Sequence, residues 1–240
     1  MKTKSLLFHK TIGFSLIPAL ILLLSLPMNV LSNQKGEQQN FEDEEPISDV
    51  VDAGSRGICR VESSENLRLT ALAPSVQIGE TLKSQPSFWF YSPYSLEHQI
   101  TARFNMLKED DKNFIDPIEI ALPKTPGFFK VSIPQKYILD KNLDYNWYLS
   151  VICNPQDESQ NIVLQGWIHR IQENDLLDDD YLLWYDQVDS LAVERCEDNT
   201  NEDLKQKWET LLYSVADQLD ENRRNYWNNV IDQPMNCPGI

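Results

Sequence analysis

Between residues 59 and 171 the apolar positions recur at every second residue in short runs, each closed by a turn-forming residue. Side chains of a strand alternate between two faces, so this spacing marks strands with one buried face. The run from Tyr145 to Cys153 is the central case: aromatic and β-branched residues dominate it, and Asn154-Pro155 stops it. Leu67, Leu69 and Ala71 alternate with Arg68 and Thr70 ahead of Pro74, and Ser87–Tyr91 is a compact aromatic run ended by Pro93. Ile100, Ala102, Phe104 and Met106 face one way, with Thr101, Arg103 and Asn105 opposite and Glu109 to Asn113 as the turn. Ile118, Ile120 and Leu122, then Phe129, Val131 and Ile133, then Ile162 to Ile171 complete the set. Seven short strands separated by turns predict an immunoglobulin-like antiparallel β-sandwich over residues 59–172.

From Glu173 the period changes. Leu177, Tyr181, Trp184, Val188 and Leu191 follow helical steps, and Thr200 with Asp203 has capping-box spacing for a second helix. The second stripe is Leu204, Trp208, Leu211, Val215 and Leu219, with Asp203 and Lys207 four apart. Tyr226, Trp227, Val230 and Ile231 either continue it or begin a third helix, and Pro234 ends the helices. Residues 173–240 are therefore expected to form an α-helical hairpin packed on the sandwich. Alternation puts Phe88 and Phe90 on one face of their strand and Trp89 and Tyr91 on the other. If the phenylalanines are core, then Trp89, Tyr91 and nearby Tyr94 are either covered or exposed as a candidate ligand platform. The covered reading is preferred, because Trp184 and Trp208 of the hairpin need an apolar surface of their own.

The N-terminal stretch changes the picture of where the chain goes. Lys2, Lys4 and Lys10 accompany an apolar run from Ile12 to Leu26, and Val30-Leu31-Ser32 offers a cleavable end. These features predict a secretory signal over residues 1–32. The run is shorter than the ~20 residues of a spanning helix, so an uncleaved anchor is the weaker reading. Residues 33–58 contain the acidic run Glu42 to Glu45 and little apolar surface, and read as a disordered acidic linker. The chain has 21 basic residues against 37 acidic, and cutting the leader removes three lysines and no acid. The mature balance of 18 against 37, or −19, argues against nucleic acid and anionic lipid as partners.

Four cysteines, Cys59, Cys153, Cys196 and Cys237, stand behind the signal. An even count in an exported chain reads as disulfides with three connectivities. Two bracket the β region and two lie in the helical part, so Cys59–Cys153 and Cys196–Cys237 are expected. The absence of any CxxC pair, with only His98 and His169 left in the mature chain, argues against a zinc site.

No phosphate loop, GxSxG or SxxK is present. Catalysis by His169 is the weaker reading beside a structural role. Asp178 to Asp180 and Glu109 to Asp111 lack the spacing of a calcium loop and suit a helix start and a turn. No metal or cofactor is expected.

Leu69-Thr70-Ala71-Leu72-Ala73-Pro74, Pro86 to Tyr91, Thr125-Pro126-Gly127, Tyr145 to Cys153, Gly166-Trp167 and Trp184-Tyr185-Asp186 occur in an order that resembles one family. It is the cyanobacterial domain of unknown function 928, and the resemblance covers about residues 59–225. It implies an exported protein with no assigned activity or catalytic residues. Gly166-Trp167 and Tyr145 to Cys153 look like positions that keep its fold. The expected function is a non-enzymatic envelope binding or adaptor module, periplasmic or extracellular, with an acidic helical surface for a protein partner. The alternatives are glycan binding through exposed aromatics, and a hydrolase with paired carboxylates.

Overall fold

The alternating runs build two sheets packed face to face. A computed structural model describes the chain at Cys59, 67–74, 78–95, 100–108, 112–173, 183–216 and 221–237. The signal at 1–32, the linker at 33–58, Glu109 to Asp111, His98, Leu177, Asp178 to Asp180, Tyr181 and Leu219 lie outside the described residues.

The smaller sheet has the order β1 (Thr70–Ala71), β3 (Ser87–Ser92), β6 (Gly127–Ser132). The larger has the order β2 (Gly79–Thr81), β8 (Ile162–Arg170), β7 (Leu143–Val151), β4 (Thr101–Lys108), β5 (Asn113–Ala121). Two differences from the sequence reading have simple causes. An eighth strand, β2, runs parallel to β8, so the sandwich is not wholly antiparallel. Its three residues, Gly-Glu-Thr, carry no apolar alternation to announce it. The strand expected from Ile118 begins at Asn113 and passes through Pro117, where the register against β4 shifts. Proline is tolerated there because β5 is an edge strand with one side unpaired.

Between the sheets, Phe88 packs at 5.0 Å from Phe104 and 5.8 Å from Trp147, and Phe90 meets Trp147 edge-on at 5.6 Å. Gly166 lies opposite Trp147 on β8, where a Cβ would come within 2.3 Å of the indole. The glycine makes room for the ring.

The other face of the smaller sheet is covered. Trp89 pairs with Lys130 and Tyr91 with Phe128, and over them lie α1 (Trp184–Glu197), α2 (Glu202–Ala216) and α3 (Glu221–Ile231). The region expected as a hairpin thus holds three helices. Asp189 of α1 accepts from Trp89 Nε1 at 3.0 Å, Lys83 Nζ at 2.9 Å and Lys130 Nζ at 2.8 Å. Asp186, one turn earlier, accepts from the Thr81 hydroxyl and from the Leu82 amide. One helix therefore grips both sheets. Tyr185 completes the grip by accepting from Trp147 Nε1 and donating to the Trp167 carbonyl, each at 2.8 Å. Trp208 of α2 meets Phe128 edge-on at 5.2 Å, and Trp227 of α3 donates to the Leu212 carbonyl.

The second helix starts one residue later than the capping-box reading. Asn201 Oδ1 accepts from the amides of Asp203 and Leu204, while the Thr200 hydroxyl is taken by Asp198. Cys59–Cys153 and Cys196–Cys237 are bonded. The second holds the chain's last described residues near α1, where the Phe128 amide donates to Pro234 and the Asn236 amide to Phe128 along the edge of β6.

Burial opposes ionisation of Asp189, but the hydrogen bonds from Lys130, Trp89 and Lys83 outweigh it and hold the carboxyl below its ordinary value of 3.8. Its stabilisation is complete above that value and is lost as pH falls through the lower folded one. Asp189→Asn should cost about 2–3 kcal/mol in urea unfolding at pH 7. The gap to the parent should narrow below about pH 3. Gly166→Ala should cost about 1–3 kcal/mol by crowding Trp147, and an unchanged urea midpoint would refute that packing.

Candidate functional site

The two sheets differ in what lies outside them. Trp89, Tyr91 and Tyr94, the candidate ligand platform, are 2%, 0% and 2% exposed. Trp89 and Tyr91 occupy the face under the helices, where Asp189 takes the Trp89 indole and Gln233 Oε1 accepts from the Tyr91 hydroxyl at 3.4 Å. Of the two readings, covered or exposed as a platform, the rings are covered: four consecutive aromatic residues, Phe88 to Tyr91, fill both faces of β3 because both faces are covered.

Among the described residues, elements cover one side of the larger sheet only. Its outward positions include Asp144, Asn146, Tyr148 and Ser150 on β7, Thr101, Arg103, Asn105 and Leu107 on β4, and Val163, Gln165, Trp167 and His169 on β8. Register sets them in rows. Trp167, Asn146 and Leu107 stand side by side, and Gln165, Tyr148 and Asn105 form the next row. Trp167 and Tyr148 are thus diagonal neighbours on adjacent strands, with Cα atoms about 7–8 Å apart. These two aromatics were overlooked in the sequence. The signal was parity, because Trp167 alternates with Leu164, Gly166 and Ile168, and Tyr148 with Trp147 and Leu149.

Charged residues lie at the two ends of these rows. At one end Arg103 reaches Glu158 at 3.5 Å beside a pocket of about 290 Å³ that Glu119 also lines. At the other, Asp144, His169 and Glu80 stand in register across β7, β8 and β2, and Asp144 Oδ1 is bonded to His169 Nδ1. Burial pushes the Glu80 carboxyl up, the Asp144 charge adds to this and His169 opposes it. Glu80 Oε2 makes no hydrogen bond. Among the described residues no group of three His, Cys, Asp or Glu is placed to hold a metal ion.

A β-sandwich with one sheet lying under helices is the class that this architecture defines. The chain belongs to the family described as Domain of Unknown Function (DUF928), whose model matches residues 51–222. No curated protein matches it, and no solved structure does.

Because Glu80 is less willing to ionise in the fold, its charge is a penalty that is present above the folded value and absent well below the ordinary 4.5. Glu80→Gln should raise the melting temperature by about 1–3 °C at pH 7 and leave it unchanged near pH 3.5. A loss of stability at pH 7 would show instead that the ionised carboxylate supports the row.

Proposed function

We propose that this protein is an exported, non-enzymatic binding module of the cell envelope, and that it binds through the outer face of the five-stranded sheet. The observation that carries this reading is the contrast between the sheets among the described residues: helices occupy one outer face, and the other carries the partly exposed Trp167 beside Asn146 and Leu107. The leader at residues 1–32 and the two disulfides suit an oxidising compartment outside the cytoplasm. Among the described residues no helix is long and apolar enough to cross a membrane. The strand order fits an immunoglobulin-like sandwich, with β1, β3 and β6 as strands A, B and E and β8, β7 and β4 as G, F and C.

The helices favour the sheet as the binding face in a second way. They carry eight acids against five bases, so most of the acidic excess after Glu173 lies outside them. Asp186 and Asp189 are committed to the sheets, and Asp203 and Glu209 pair with Lys207 and Lys205. Half of the helical acids are thus already engaged.

Capture of the exported chain on its own envelope fraction tests the reading. Trp167→Ala should abolish retention, while Tyr213→Ala, at an exposed α2 position, should leave it intact. Retention that survives Trp167→Ala in a folded protein and is lost in Tyr213→Ala would move the binding face to the helices.

A further inference from the structure

We infer that the two disulfides have different roles: Cys59–Cys153 is a fixed staple, and Cys196–Cys237 is a thiol–disulfide exchange site that holds and releases residues 234–236. This goes beyond the binding face proposed above and does not rest on it. The two bridges differ in access. Cys59 and Cys153 are 0% and 1% exposed and belong to the core. Cys237 is exposed, and Cys196, near the end of α1, is half-buried. Exchange needs a thiolate to reach a sulfur from outside, so the second bridge is open to attack in the folded protein and the first is not.

The segment that this bridge ties down has a seat built for it. Residues 234–236 run along the edge strand β6, with Met235 bridged in parallel to Phe128. The Phe128 amide donates to the Pro234 carbonyl at 2.9 Å, and the Asn236 amide donates to the Phe128 carbonyl at 2.8 Å. The Asn236 side chain meets Thr125 twice: its Oδ1 accepts from the Thr125 hydroxyl at 2.9 Å, and its Nδ2 donates to the Thr125 carbonyl at 3.0 Å. Gly127 has φ +148°, and a Cβ there would come within 2.6 Å of both the Pro234 carbonyl oxygen and Asn236 Nδ2. The Thr125-Pro126-Gly127 turn is thus shaped to receive this segment. Outside the bridge, its hydrogen bonds end on Thr125 and Phe128, while α3 is anchored separately by buried Trp227, Val230 and Ile231. The segment can therefore leave without the helix. Its departure unpairs the outward amide and carbonyl of Phe128 at the edge of the smaller sheet.

The reductant is a dithiol, of a protein or a small molecule. One thiolate attacks Sγ of the more exposed Cys237, the S–S bond breaks, and the electron pair leaves on Cys196 Sγ, which takes up a proton. The second thiolate then displaces Cys237 from the mixed disulfide. Two electrons and two protons pass to the protein, and the reductant leaves as a disulfide.

The test exposes the disulfide-bonded protein to graded dithiothreitol, traps free thiols with iodoacetamide, and reads hydrogen exchange on the same samples. Cys196 and Cys237 should be alkylated at least about tenfold faster than Cys59 and Cys153. In that partly reduced state the Phe128 and Asn236 amides should lose protection while the amides of β7 keep theirs. Asn236→Ala should speed reduction of Cys196–Cys237 and leave Cys59–Cys153 unchanged. The double variant Cys196→Ser, Cys237→Ser should show the same two amides unprotected without any reductant. Reduction of both bridges together, only as the chain unfolds, overturns the exchange site. Selective reduction with the Phe128 and Asn236 amides still protected overturns the release.

Discussion

The grip of α1 on the sandwich is the constraint from which the rest of the architecture follows. Asp189, 8% exposed, takes an indole N–H and two ammonium groups, and Asp186 takes a hydroxyl and an amide from the end of the parallel edge strand. A carboxylate in such a place is tolerated only because it is paired and hydrogen-bonded. With both groups on successive turns of one helix, the helix cannot slide along the sheet without breaking several charge-assisted bonds. Trp208 and Trp227 then stack the second and third helices on the first layer. The smaller sheet becomes the middle of three layers, and among the described residues no element lies over the outer side of the larger sheet.

How much of this was legible depended on which rule each residue obeyed. The strands from Leu67 to Ile171 could be read because period two survives wherever one face is wet. The same rule explains why the candidate platform is covered. Ser87 to Tyr91 drew attention as the densest aromatic run, but density on both parities is the mark of a strand buried on both faces, and Trp89 and Tyr91 are 2% and 0% exposed. Trp167 and Tyr148 lie on the polar parity of their strands, which is the place an exposed aromatic must occupy. That signal is quieter, since it is one large ring among amides.

Other features left no local trace. β2 is three residues long and gains its identity from β8, so only tertiary pairing reveals it. Both disulfides followed from where the cysteines stand relative to the change of period, because each pair stays within the half of the chain it brackets. The helix cap differed by one residue, Asn201 in place of Thr200, since either side chain can bond an exposed amide and Asp198 had already engaged the threonine. Net charge says least about a site. It is a sum over the chain and says nothing of which acids are spent inside; Asp186 and Asp189 count toward the acidic total yet face the sheets.

We propose that the helices are a structural cover and that the outer face of the larger sheet is the working surface. Hydroxyl-radical footprinting of the intact protein, alone and bound to its envelope fraction, addresses that claim directly. Trp167 and Tyr148 should be oxidised in the free protein and protected on binding, with Trp89 and Tyr91 unlabelled in both states. Protection confined to Tyr213 and its neighbours on α2, with Trp167 unchanged, would contradict it.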